Sequence, residues 1–336
     1  MNRLKKFLLI VFFGGSAFFG LFLILLNLPG SQSEKTPVFG VSFTPAYATS
    51  LDLNWQAAYT AMLDDLGVRH FRLSAQWDTI EPIDNTYSLD DLDFQMDEAM
   101  RRGAEVLLGV GRKLPRWPEC HDPAWAKGLT KKERREKILE NVRVVVERYK
   151  DHPALKRWQV ENEVLFPFGV CPDGFDIALL KKEIELVRSL DDRHEIVMTD
   201  SGEWTFWIPI AFYGDVLGIS MYREAWNELL NMHIQFPINE GWYQLRSRLV
   251  APWKESIIVT ELQTEPWAGK AIKDMAPEES LKWMPLEKIQ ENIRFAKNVG
   301  LSEVYLWGAE WWYFLRQQGY PEIWNGLKEV FIGQQK

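Results

Sequence analysis

The chain has 336 residues, 46% hydrophobic and 13% aromatic, with no low-complexity tract; this excludes a disordered tail, a collagen-like rod and a small disulfide scaffold. Net charge is −8, and Arg3, Lys5 and Lys6 are the only charges in residues 1–30, so the remainder is more acidic still and argues against a basic nucleic-acid footprint. Sixteen Trp exceed what a core alone needs and suggest flat faces presented to something flat.

Residues 1–6 form a basic stub, and residues 7–28 (FLLIVFFGGSAFFGLFLILLNL) carry no charge. A helix of that length spans roughly 33 Å, enough for a ~30 Å hydrocarbon core. Cations before the run and Glu34 after it favour a cytoplasmic amino terminus. The segment reads as a transmembrane anchor, with a cleaved signal peptide and a secreted domain as the alternative. Either way residues 38–336 form one domain outside the cytoplasm, after a polar tether at 29–37. A monomeric catalytic domain is expected.

From residue 38, apolar runs alternate with amphipathic stretches. Strands are expected at 38–45, 68–75, 105–111, 156–163, 195–201, 216–222, 256–262 and 303–308. Helical patterns fall at 54–66, 90–102, 131–150, 176–190, 238–250 and 285–299, with 322–331 closing the chain. Asn54 and Asp90 mark helix starts, Thr130 with Glu133 forms a capping box, and Gly67, Gly103 and Gly300 sit at helix ends. Only 202–215 separates the fifth strand from the sixth, room for a short helix such as 205–213. The strict alternation predicts an α/β fold, a single parallel (β/α)8 TIM barrel. A doubly wound open sheet is the alternative, but its Gly-rich ligand turn is absent.

A barrel of this kind gathers its site at the C-terminal ends of the strands. Those ends carry Arg72, Gln76 and Trp77; Arg112 and Trp117; Asn162 and Glu163; Glu203 and Trp204; Tyr222; Glu261; and Trp307. Carboxylates, amides, a guanidinium and indoles at one mouth suit carbohydrate: acids cleave, polar groups hold hydroxyls, and indole faces take the C–H faces of sugar rings. Trp226, Trp267, Trp311 and Trp312 are placed in loops on the same rim. The pair Glu163 and Glu261, on near-opposite strands, fits glycoside hydrolysis, which needs an acid for the leaving oxygen and a carboxylate at the anomeric carbon. Glu161, of the same strand parity, competes with Glu163, and Glu265 competes with Glu261. The five His show no metal-ligand spacing, and neither a phosphate loop nor a dinucleotide fingerprint occurs, so no cofactor or metal is expected. Cys120 and Cys171 fall in neighbouring loops on the rim, as a disulfide or as two separate thiols.

WQVENE (158–163) followed by IVTELQTEPW (258–267) resembles the retaining glycoside hydrolases of clan A, which include cellulases, mannanases, xylanases and β-galactosidases. The resemblance covers residues 38–331. It implies that Glu163 is acid/base, Glu261 nucleophile and Asn162 a contact to the sugar 2-hydroxyl. It further implies that Arg72 and Tyr222 support the nucleophile and that Trp307 is a platform under the cleaved sugar. Trp77, Trp117 and Trp204 are expected to bind substrate. Two departures stand out: Ser220 where family 5 cellulases usually carry His, and Arg112-Lys113 where they often have His. Transglycosylation by the same residues, or glycan binding without turnover, would use the same site.

Overall fold

Eight parallel strands close on themselves in the computed structural model, which describes residue 20 and residues 24–31, 36–174, 176–254 and 256–333. The barrel strands are β1 (Val38–Ser42), β2 (His70–Ser74), β3 (Glu105–Val110), β4 (Leu155–Val160), β5 (Glu195–Asp200), β6 (Val216–Met221), β9 (Ser256–Gln263) and β10 (Glu303–Trp307). Closure is made by β10 against β1, where Val38 pairs with Glu303 and Val41 with Leu306. The open-sheet alternative is thereby excluded.

Local chemistry sets the helices around this wall. Asn54 Oδ1 accepts from Ala57 N at the start of Trp55–Asp64, and Thr130 and Glu133 form a reciprocal capping box on Lys131–Tyr149. Gly300 ends Leu286–Val299 in the left-handed region (φ 83°), which a side chain would resist. The main core lies between barrel and helices. Inside the barrel, Leu107, Val197, Val216, Ile258 and Tyr305 form a second cluster. Gly40 is required there, because a Cβ would stand 2.9 Å from the Tyr305 ring and 2.5 Å from the His70 carbonyl.

The fifth unit carries the expected short helix, Ile208–Ala211, inside 205–213. Two features depart from the sequence reading. A two-stranded antiparallel hairpin, β7 (Glu224–Asn227) and β8 (Met232–Gln235), rises between β6 and the helix Glu240–Val250. Trp311 and Trp312 are not rim loop residues: they are fully buried in the helix Ala309–Gln317, and Trp312 Nε1 donates to the Thr264 carbonyl at 3.0 Å. The apolar run 7–28 lies outside the described residues except for Gly20 and Ile24–Leu28; among the described residues no helix is long and apolar enough to cross a membrane.

Candidate active site

A cavity of about 1000 Å³ opens at the C-terminal ends of the strands, and Glu163 and Glu261 both line it. Glu261 lies within β9. Its Oε1 is ion-paired with Arg72 Nη1 at 2.7 Å, and its Oε2 accepts from Tyr222 Oη at 3.0 Å. Arg72, buried in β2, distributes its fork: Nε donates to Gln159 Oε1 and Nη2 to Asn162 Oδ1, each at 2.7 Å. One guanidinium therefore fixes the strand-four amide and the strand-nine carboxylate together.

Beyond Val160 the chain leaves extended geometry, with φ 60° at Glu161 and 43° at Glu163. Two left-handed non-glycine residues cost roughly 1–2 kcal/mol each, and such conformations cluster at functional sites. The turn separates the two acids that strand parity placed together. Glu161 turns away from the mouth and accepts from the backbone N–H groups of Arg112 and Lys113 at 2.7 and 2.8 Å. Glu163 turns into the cavity. Its backbone N–H donates to Thr199 Oγ1 at 2.8 Å, and its carbonyl accepts from Lys113 Nζ at 2.9 Å. Burial and the neighbouring Glu261 charge push the Glu163 carboxyl well above the usual range, against a lowering hydrogen bond from Ser220. Ser220, the departure from the cellulase pattern, thus touches the candidate acid.

The competing acid Glu265 also lines the cavity, but it is engaged otherwise. It pairs with Arg116 and accepts from Tyr47 Oη at 3.2 Å. Arg116 also pairs with buried Glu310 at 2.9 Å, and its guanidinium lies between two rings, 3.6 Å from the Tyr47 centroid and 3.9 Å from that of Trp307. One face of Trp307 is therefore already covered, and a stacked sugar has only the other.

Trp117 and Trp204 line the cavity and are exposed, as do Trp226 and Trp267, which are partly buried. Trp77 does not line it. The short helix Trp77–Ile80 turns that indole inward, where Nε1 donates to Glu81 at 2.8 Å and the ring meets Trp125 edge-on; the expectation that it binds substrate is corrected. Arg112 is likewise structural: it grips Asp122 with two 2.6 Å bonds and the Pro172 carbonyl with a third. Beside it Cys120 and Cys171 are bonded, joining the loops after β3 and β4.

Glu119 and Thr199, like Arg116, escaped the sequence reading of the site. Glu119, between Pro118 and Cys120, accepts from Asn162 Nδ2 and lines the cavity; burial and the Glu261 charge raise it to about 7. Thr199 holds both Glu163 N and Asn162 Oδ1. Nothing in the linear pattern marks either one. Glu203, read as a strand-end acid, positions Tyr222 by accepting its backbone N–H at 2.8 Å and the Tyr243 hydroxyl at 2.6 Å. Among the described residues, no group of three His, Cys, Asp or Glu side chains is placed to hold a metal ion.

No protein-family model matches the sequence. Among solved structures, the chain is similar to GH5_18 of Bifidobacterium longum subsp. longum, with TM-score 0.62 and 14% identity over 90% of this chain and 80% of that one. The chain shares that barrel. GH5_18 of Streptomyces cattleya, in complex with GlcNAc, gives TM-score 0.53 at 16% identity over 82% and 71% of the two chains. An intracellular xylanase of Thermoanaerobacterium saccharolyticum, in complex with xylotetraose, gives 0.51 at 15% identity over 84% and 90%. The likeness is one of fold, and it fits the clan A resemblance read from the sequence.

Proposed function

We propose that this chain is a glycoside hydrolase that cleaves β-linked glycans with net retention. The observation that carries this reading is the unlike treatment of two acids in one cavity. Glu261 is ion-paired to Arg72 and bonded to Tyr222, while Glu163 is buried with a carboxyl pushed well above its usual range. One is suited to attack and the other to donate a proton. Glu261 Oε attacks the anomeric carbon as Glu163 protonates the leaving oxygen, forming a glycosyl ester. Esterification removes the Glu261 charge, so the Glu163 pKa falls. Glu163 then takes a proton from water, whose oxygen displaces Glu261.

The neighbours in complex with GlcNAc and with xylotetraose support a carbohydrate substrate. We further place the apolar run from residue 7 in a membrane as far as Ile24, beyond which Leu25–Leu28 pack onto the barrel, with the barrel outside the cytoplasm. A panel of aryl β-glycosides tests the chemistry. Glu261→Ala should abolish turnover; Glu163→Ala should fail on poor leaving groups and recover with added azide. Wild-type rates in either variant would refute the assignment.

A further inference from the structure

The chain enters the barrel at its base, where Val38 N donates to the Ser302 carbonyl at the start of β1. The described residues before it do not remain there. Ser31 exchanges hydrogen bonds with Gln244, whose Nε2 also reaches the Asn298 carbonyl at 2.8 Å, on the outside of helices Glu240–Val250 and Leu286–Val299. Further back, Leu28 and Pro29 cross Gly241 so closely that a Cβ there would stand 2.4 and 2.7 Å from their carbonyl oxygens. Leu26, buried, accepts from Asn239 N at 2.9 Å. Asn239 is the N-cap of its helix, which begins on the catalytic side, and Phe236 and Pro237 just before it line the cavity. The strap therefore climbs the flank, and its described end, Ile24–Leu28, lies at the rim beside the mouth.

At that corner stands the β7–β8 hairpin. Its base is rigidly held: Gln263 accepts from Arg223 N and Glu224 N and donates to the Glu224 carbonyl. His233 stacks on Trp283 at 3.9 Å, and Trp226 packs so tightly on Gly269 that a Cβ would lie 2.4 Å from Nε1. Its tip mixes polar and apolar residues: Leu230 N donates to Asn227 Oδ1 at 2.9 Å, while the apolar side chains stand in solvent. Leu229 is 93% exposed, with Leu230 and Met232 at 58% and 52%. Asn227 and Asn231 (φ 51°) supply the turn chemistry, so the two adjacent leucines are not needed to form the turn, and their exposure marks a contact surface. Ile24, on the strap, and Phe206, in the loop after β5, are also exposed.

We propose that this corner rests on a lipid bilayer, the hairpin tip dipping among the acyl chains beside the amino-terminal run, so that the catalytic mouth opens at the membrane surface. The inference rests on placing the run that precedes Leu25 in a membrane. The net charge of −8 and the acid Glu228 at the tip direct the contact toward zwitterionic lipid, driven by apolar burial rather than by charge. The disulfide leaves no free thiol among the described cysteines, so Leu229→Cys carries one environment-sensitive nitrobenzoxadiazole label in the full chain.

In phosphatidylcholine nanodiscs, lipids brominated along their acyl chains should quench this label about threefold more than one on Asp192→Cys, in the turn before β5 at the opposite end. Equal quenching at the two positions overturns the proposal. So does a blue-shifted but unquenched label at 229, which would mean that a second copy or another protein covers the tip. Met232→Cys repeats the measurement should the first variant not fold. Aryl-glycoside turnover in the same discs separates the two readings: quenching without turnover counts against the hydrolase, and turnover without quenching counts against bilayer docking alone.

Discussion

Glu119 accepts a hydrogen bond from Asn162 Nδ2 at 3.2 Å, inside the cavity that also holds Glu163 and Glu261. A third carboxyl so near the reacting pair sets the pH range of the first two. Raised to about 7 by burial and by the Glu261 charge, Glu119 is neutral on the acid side and gains charge as pH rises through that value. Once charged it opposes loss of the Glu163 proton, since its charge is among the causes that raise Glu163. Glu119→Gln keeps an acceptor for Asn162 but never ionises. The basic limb of kcat/KM should then move acidward by roughly half a unit. A pH profile on an aryl β-glycoside checks this, and an unmoved or alkaline-shifted limb would contradict it.

Tyr222 and Arg72 hold the same carboxylate by different means, and their variants should fail differently. Tyr222→Phe removes one hydrogen bond to a charged group, worth about 1.5–3 kcal/mol. That predicts a fall in kcat of roughly 10- to 100-fold with little change in thermal unfolding. Arg72→Met leaves Glu261 unpaired and strips donors from Gln159 and Asn162, so the fold itself should lose about 3–5 kcal/mol. Arg72→Lys should not restore activity, because an ammonium lacks the planar fork. Denaturant unfolding beside steady-state kinetics separates the two patterns.

The barrel was legible because its strands are buried apolar runs bounded by helix signals, and strand ends point to a mouth whatever the loops do. Arg72, Asn162, Glu163, Tyr222 and Glu261 all sit on strands or within a few residues of one. Legibility stops where loops begin. The β7–β8 hairpin has strands of four residues each, too short to show alternation. Trp77 follows a strand end in sequence, but one helical turn reverses the direction of its ring. Parity could not separate Glu161 from Glu163, since parity assumes extended backbone and the chain leaves it at Glu161. Glu119 and Arg116 reach the site only through the path of one long loop, which no periodicity encodes.

Glu161 and Glu183 face each other behind the site without a hydrogen-bond donor to either Glu183 oxygen among the described groups. Burial, then the Glu161 charge, pushes Glu183 well above the usual range, and burial raises Glu161 too. A carboxyl whose folded pKa exceeds its unfolded value stabilises the fold fully below the unfolded value near 4.3 and progressively less as pH rises toward the folded one. Glu183→Gln removes that titration and supplies a permanent donor to Glu161. The Tm advantage of the variant should therefore grow with pH above about 5, reaching roughly 2–4 °C on the alkaline side. Scanning calorimetry across pH checks the sign, and a variant that loses Tm as pH rises would refute the raised Glu183 carboxyl.

Trp117 and Trp204 stand on the cavity wall with 66% and 64% of their surface exposed, each steadied only edge-on, by Phe168 at 6.1 Å and Phe236 at 5.2 Å. Rings held that loosely contribute little to folding, and leaving them in water is costly unless a ligand covers them. Sugar faces beyond the cleaved bond are the ligand that fits. Replacing either by Ala should leave Tm within about 2 °C. It should raise KM for an oligosaccharide roughly 3- to 10-fold with kcat retained. A short aryl glycoside, which fills only the site around Glu163 and Glu261, should be hydrolysed as before. An equal loss on both substrates would mean that the indoles position the catalytic loops and do not grip the distal sugar.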